Sequence, residues 1–133
     1  MENKKKVLII DDEEAFTFFV KKNLGEKGEY EVAVATEGET GIELAKRFRA
    51  DVILLDIIMP GMSGPDIAEV LLDDPLTKQI PLIFLTAVVT NEEIGIKSMK
   101  KIGRRNFIAK PVSIERLSAC IEDVVLESKG ERI

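Results

Sequence analysis

Apolar positions along this chain follow two alternating rhythms. Val7-Leu8-Ile9-Ile10 is a short β-branched run ending in acid, and it predicts a first strand. Residues 13–27 then carry apolar side chains at helical spacing, with Phe16, Phe19, Val20 and Leu24 on one face, and Gly25 and Gly28 close the segment. Tyr30 to Ala35 predicts a second strand, polar on one side, and Thr36 and Glu39 are spaced as a capping box for a helix ending near Phe48. Asp51 to Asp56 is a third strand, almost wholly apolar between two acids, and a continuous run of this kind implies cover on both faces. Ile57 to Gly64 is a loop rich in Gly and Pro, and Pro65 suits the first turn of a helix running to about Leu72. Pro81 to Thr86 predicts a fourth buried strand. Thr90 and Glu93 form a second capping box before a fourth helix to about Lys101, and Asn106 to Ala109 predicts a short fifth strand. Ser113 is placed to cap a last helix from Ile114 to about Glu127, followed by a frayed polar tail.

Five strand–helix units in series predict an α/β fold: one parallel sheet with five helices distributed over both faces. The 133 residues fit one domain, with a core over about 6–127 and short polar ends. A hydrophobic share of 45% is that of a folded chain, and the length suffices for a core without disulfide or metal staples.

Composition narrows the chemistry. A net charge of −5 argues against direct nucleic-acid binding. Histidine is absent, which excludes His-based triads, His-ligated metals and a phosphohistidine on this chain. The single cysteine, Cys120, has no internal disulfide partner, which points to a reducing compartment, the cytoplasm. Its expected place is the inner face of the last helix, with Ile114, Leu117, Ile121 and Val125. Met1 to Lys6 lead into only four apolar residues, too few for a signal peptide, and no apolar run approaches the roughly 20 residues of a membrane span.

In an open parallel sheet, ligands bind beyond the carboxyl ends of the strands. Those ends carry Asp11-Asp12, Asp56, Thr86 and Lys110-Pro111. Three carboxylates in one pocket repel one another unless a cation joins them, and oxygen ligands without His or Cys select a hard ion such as Mg²⁺, with Mn²⁺ as a substitute. A metal also makes an aspartate a usable nucleophile toward phosphorus, by offsetting its repulsion from the phosphoryl oxygens. A lysine and a hydroxyl nearby would stabilise the transferred group. Each residue has a plainer alternative. Asp11 and Asp12, ahead of Glu13 and Glu14, also suit a helix N-terminus. Asp56 suits a loop start, Thr86 a strand, Phe107 a core and Lys110 a solvated surface.

Together these residues resemble a known family. The acidic pair after Val7-Leu8-Ile9-Ile10, the run Leu54-Leu55-Asp56-Ile57-Ile58-Met59-Pro60-Gly61-Met62-Ser63-Gly64, the pair Thr86-Ala87, and Phe107-Ile108-Ala109-Lys110-Pro111 are similar to the response-regulator receiver domain of two-component signalling. The similarity covers residues 6 to about 127. It implies a flavodoxin-like, doubly wound sheet of order 2-1-3-4-5. Asp56 would receive a phosphoryl group from a phosphohistidine on a histidine kinase or histidine phosphotransfer protein. Asp11, Asp12, Asp56 and the Ile58 carbonyl would serve the Mg²⁺, with Asp11 acting largely through water. Thr86 and Lys110 would engage the phosphoryl group, and Phe107 would move inward with Thr86 as a switch. The Lys110–Pro111 peptide would be cis. The resemblance implies a free-standing switch of the chemotaxis or phosphorelay type, or a piece of a longer regulator, that catalyses only its own phosphorylation and dephosphorylation. It would act on a downstream protein through the face of the fourth helix and fifth strand.

The alternative is an Mg²⁺-dependent phosphohydrolase working through an aspartyl phosphate. Enzymes of the haloacid-dehalogenase type place a second acid two residues after the nucleophile, where this chain has Ile58. Phe18 falls off the apolar face of the first helix and is a candidate docking contact. Lys97, Lys100, Lys101, Arg104 and Arg105 form a basic stretch suited either to solvent or to an acidic partner, and Gly103-Arg104-Arg105-Asn106 departs from the family's usual Gly-Ala loop. The resemblance implies that Ile58 and Val88, each two residues after a site residue, flank the path of attacking water, where their bulk would slow dephosphorylation. A polar residue at position 58 is expected to shorten the phosphoaspartate lifetime. An unchanged lifetime would contradict that reading.

Overall fold

The computed structural model describes residues 4–86, 106–110 and 112–130. Five strands form one sheet: β1 (Lys5–Ile10), β2 (Tyr30–Ala35), β3 (Val52–Asp56), β4 (Leu82–Thr86) and β5 (Asn106–Ala109). All four neighbouring pairs are parallel, in the order β2-β1-β3-β4-β5, as the resemblance implies. Four helices lie among the described residues: α1 (Glu14–Glu26), α2 (Gly38–Phe48), α3 (Gly64–Leu72) and α4 (Ile114–Gly130). The helix expected from the Thr90–Glu93 box to about Lys101 lies outside them, so four helices are described where five were expected. None of the described helices is long and apolar enough to cross a membrane.

The sheet divides the core in two because strand side chains alternate with a period of two. Val7, Ile9, Val52, Leu54, Ile83, Leu85 and Ile108 face one side, where Val20 and Leu24 of α1 and Leu117, Ile121, Val124 and Val125 of α4 cover them. Leu8, Ile10, Ile53, Leu55, Leu82 and Phe84 face the other, under Ala45 of α2 and Ile67, Ala68 and Leu71 of α3. The central strands are therefore apolar at consecutive positions. Each such Leu, Ile or Phe contributes about 1.5–3 kcal/mol by leaving water. Cys120, like Ile114, is half-buried against the α1–α4 side, and burial first, then the Asp123 charge, pushes its thiol pKa up.

Helix ends and phases differ from the pattern in four places. In α1 the buried positions are Thr17, Val20 and Leu24, while Phe19 is exposed along with Phe18. Thr17 can occupy the core because its hydroxyl donates to the Glu14 carbonyl at 3.0 Å. Thr36 and Glu39 do not cap α2. The N-cap is Glu37, one residue later, and it makes no side-chain cap bond. The first turns of α2 approach β1 closely, for a Cβ on Gly41 would lie 2.6 Å from Ile10 Cδ1. α3 carries the capping box that the sequence reading missed: Asp66 N donates to Ser63 Oγ at 3.2 Å, and Ser63 N to Asp66 Oδ2 at 3.4 Å. Finally, α4 continues to Gly130, beyond the expected end near Glu127, and Ser113 Oγ accepts from Arg116 N at 3.1 Å at its start.

The loop after β3 is held shut by the start of α3. Gly64 N donates to the Ile57 carbonyl at 2.8 Å. A Cβ at residue 64 would press on the Asp56 carbonyl oxygen and lie 2.8 Å from Ile57 Cα, both backbone atoms with nowhere to yield. Gly64→Ala is therefore expected to destabilise the fold by about 1–3 kcal/mol in urea unfolding. An unchanged midpoint would contradict this packing.

Candidate functional site

Sheet register sets the geometry of the carboxyl edge. Ile10 pairs with Leu55, Leu55 with Phe84 and Phe84 with Phe107. Asp11 and Asp56, each one residue further on, therefore leave their strands side by side. Backbone bonds pin these exits: Asp11 N donates to the Ala35 carbonyl at 3.0 Å, Ile57 N to Leu85 at 3.1 Å and Lys110 N to Thr86 at 2.7 Å.

Asp11 is wholly buried, Asp56 is 6% exposed, and Asp12 is exposed. One carboxylate oxygen from each of the three lies within 4.8 Å of the others. Asp11 Oδ1 accepts from Glu13 N at 2.9 Å, so part of the plainer reading holds: Asp11 does organise the entry to α1. Asp11 Oδ2 is buried without a directed hydrogen bond and is met by the Lys110 ammonium in an ion pair of 2.8 Å. Lys110 Nζ also pairs with Glu13 Oε1 at 2.6 Å and lies 3.8 Å from Asp56 Oδ1 and 4.6 Å from the centre of the Phe16 ring. Lys110 is thus the largely buried cation of an acidic pocket rather than a solvated surface lysine.

The electrostatics follow from this crowding. Burial, then the negative charge of Asp11, pushes the Asp56 pKa up to about 6. Lys110 pulls it partly back, Asp12 raises it again, and the Ile57 N–H lowers it. For Lys110, burial disfavours the ammonium. Close pairing with Asp11 and Glu13, with the charges of Asp11 and Asp56, outweighs burial and holds its pKa above the ordinary value. Three carboxylates beside a single ammonium, with one buried oxygen lacking a directed bond, fit a small divalent cation held by oxygen ligands.

Thr86, Phe107 and Ile58 are the other expected site residues among those described. Thr86 is buried at the end of β4, on the same face of the sheet as Phe84 and Phe107. Phe107 is half-buried and stacks on Phe84, with ring centroids 5.5 Å apart and planes at 17°. Ile58 is 64% exposed, on the loop just past Asp56. Pro111 with its expected cis peptide, Ala87, Val88, and the basic stretch from Lys97 to Arg105 lie outside the described residues. Two site residues escaped the sequence reading. Glu13 counted only as helix-end charge and Phe16 only as core, yet both enclose Lys110, which is 97 positions from Glu13. Nothing local in the sequence signals that contact.

Residues 7–122 match the family model of the response regulator receiver domain. The chain is 33% identical over 120 residues to the protein PilH of Pseudomonas aeruginosa, covering 90% of this chain and 97% of that one. It is 34% identical over 119 residues to the response regulator PleD of Caulobacter vibrioides, covering 90% of this chain but only 26% of PleD. Among solved structures, the chemotaxis protein CheY4 of Vibrio cholerae superposes with a TM-score of 0.81 at 29% identity, covering 92% of this chain and 99% of that one. A CheY-like receiver domain protein of Methanospirillum hungatei superposes with a TM-score of 0.82 at 27% identity, covering 97% and 99%. This chain belongs to the response regulator receiver domain family of two-component signalling.

Proposed function

We propose that Asp56 is the phosphoacceptor of this receiver and that Lys110, Thr86 and the Asp11–Asp12 pair serve it. The observation that carries this reading is the placement of Asp56: buried at the carboxyl edge, beside two other carboxylates, with an ammonium 3.8 Å from one of its oxygens. An Asp56 oxygen attacks phosphorus, the new O–P bond forms as the donor's N–P bond breaks, and the donor imidazole leaves. The chain has no histidine, so the donor imidazole belongs to a partner, a histidine kinase or histidine phosphotransfer protein. With a pKa of about 6, Asp56 is mostly ionised at neutral pH and able to attack.

Asp11, Asp12 and Asp56, with the Ile58 carbonyl, would hold Mg²⁺ (or Mn²⁺). The bound ion offsets the repulsion between the Asp56 carboxylate and the phosphoryl oxygens. Lys110 lies where a phosphoryl oxygen on Asp56 needs a cation, and the Thr86 hydroxyl, at the end of the next strand, is placed to donate to another. The new group adds about −1.5 to −2 charges and three acceptor oxygens, which recruit these two side chains. Thr86 shares a face with the stacked Phe84–Phe107 pair, so its displacement would be felt by Phe107 and by the surface beside β5. Output is then a changed contact with a downstream protein, and the domain chemically alters only itself. Phe18, 69% exposed on α1, is a contact for the incoming phosphodonor, because the start of α1 borders the pocket. A cytoplasmic setting fits such a donor.

Intact mass after incubation with Mg²⁺ and a small acyl phosphate tests the reading. One added phosphoryl group on the wild type and none on Asp56→Asn is the expected result. No gain with any donor would overturn it, as would steady release of phosphate from many esters, the mark of a phosphohydrolase.

The raised pKa of Asp56 predicts the pH dependence of stability. Its folded value, about 6, lies above the ordinary carboxyl value of 3.8, so folding disfavours the ionised form. The resulting penalty is absent below about pH 4, where both states are protonated, and complete above about pH 6. Asp56→Asn is therefore expected to stabilise the metal-free protein at pH 8 by on the order of 1–2 kcal/mol, with the gain vanishing near pH 4. Mg²⁺ should raise the Tm of the wild type at pH 8 more than that of Asp56→Asn. A variant less stable than the wild type at pH 8 would contradict the assignment of burial and like charge as the cause.

A further inference from the structure

We propose that Glu13 is a resting-state latch for Lys110, holding the ammonium away from Asp56 until a phosphoryl group arrives, and so setting the rate at which Asp56 is loaded. This rests on the phosphoacceptor reading above. The observation behind it is a difference of distances at a single nitrogen. Lys110 Nζ is 2.6 Å from Glu13 Oε1 and 2.8 Å from Asp11 Oδ2, but 3.8 Å from Asp56 Oδ1. The Phe16 ring, 4.6 Å away, completes a cradle built wholly from the β1 exit and the start of α1. In the resting state the ammonium is thus bound to the α1 side of the pocket.

The two carboxylates of the cradle are not equivalent. Asp11 is fully buried, and its other oxygen is engaged by the Glu13 backbone N–H, so it is fixed. The Glu13 side chain is 63% exposed. Glu13 is also the N-cap residue of α1, yet its side chain makes no capping bond. Its carboxylate is therefore free of helix duty and rotates into water at small cost. An ammonium has three N–H donors. When phosphoryl oxygens appear on Asp56, they compete for the donor that Glu13 holds, and the exposed partner is the one released. The Glu13 charge has a second effect at the pocket mouth, since it repels an anionic phosphodonor. Both effects slow loading, and both are absent once Glu13 is neutral.

Three measurements on the full chain with Mg²⁺ and acetyl phosphate test the latch. Glu13→Gln is expected to gain phosphoryl mass about two- to fivefold faster than the wild type, the range that follows from losing one solvent-exposed ion pair. Glu13→Asp keeps the charge, and with it the repulsion, but shortens the reach by one methylene, and should load faster than the wild type and more slowly than Glu13→Gln. The Lys110 Nζ resonance in ¹⁵N-labelled protein should shift in unphosphorylated Glu13→Gln toward its position in the phosphorylated wild type. Loading of Glu13→Gln at or below the wild-type rate would overturn the latch, as would wild-type behaviour of Glu13→Asp or an unmoved Lys110 resonance. Failure of the wild type to accept phosphoryl would instead overturn the phosphoacceptor reading, and the resonance would still decide the Glu13–Lys110 contact by itself.

Discussion

The Lys110 ammonium stands among carboxylates that the register of the sheet forces together. β1 and β3 are bonded so that Asp11 and Asp56 leave the sheet side by side, and no rearrangement short of breaking the ladder separates them. Burial and their mutual repulsion are a fixed cost of the fold, and together they raise the pKa of Asp56. Lys110 reaches back from the end of β5 to offset it, and its backbone N–H is tied to Thr86. One side chain therefore couples the first, third and fifth strands at the edge where the chemistry takes place. A divalent cation at the same edge would supply what one ammonium cannot, and a phosphoryl group would redistribute both.

The rest of the fold holds this edge still. Both faces of the central strands are packed with Leu, Ile and Val, so the strand ends cannot drift. α3 begins against the backbone of Asp56, close enough that only glycine fits at position 64. The capping box of Ser63 and Asp66 fixes the start of that helix without using any residue of the pocket. The site is rigid at Asp11, Asp56 and Thr86, all buried, and adaptable at Asp12 and Glu13, both exposed. That division suits a switch, in which a fixed acceptor must sense a group that comes and goes.

Much of this was legible in the sequence, for reasons that differ by element. The strands were readable because runs such as Val52 to Leu55 are apolar at every position, which only a doubly covered strand requires. The pocket was readable because topology sends every strand's carboxyl end to one edge, so Asp11, Asp56, Thr86 and Lys110 could be grouped without distances. Helix phase was less readable. Phe19 has the right residue type for the core, but Thr17 takes the buried position by satisfying its hydroxyl within the helix. The α2 cap was misplaced because the helix starts after Glu37, whose side chain makes no capping bond and so leaves no local signal. The roles of Glu13 and Phe16 were invisible, since their partner lies at the far end of the chain and neither residue is unusual where it stands.

The central claim is that Asp56, and neither of its two acidic neighbours, becomes covalently phosphorylated. Borohydride reduction of the phosphorylated protein converts an acyl phosphate to an alcohol, so the modified aspartate becomes homoserine and peptide mass spectrometry can locate it. Homoserine at position 56 alone, dependent on Mg²⁺ and on the phosphodonor, is the result this account predicts. Homoserine at Asp11 or Asp12, or an unreduced Asp56 in protein that carries the phosphoryl mass, would contradict it.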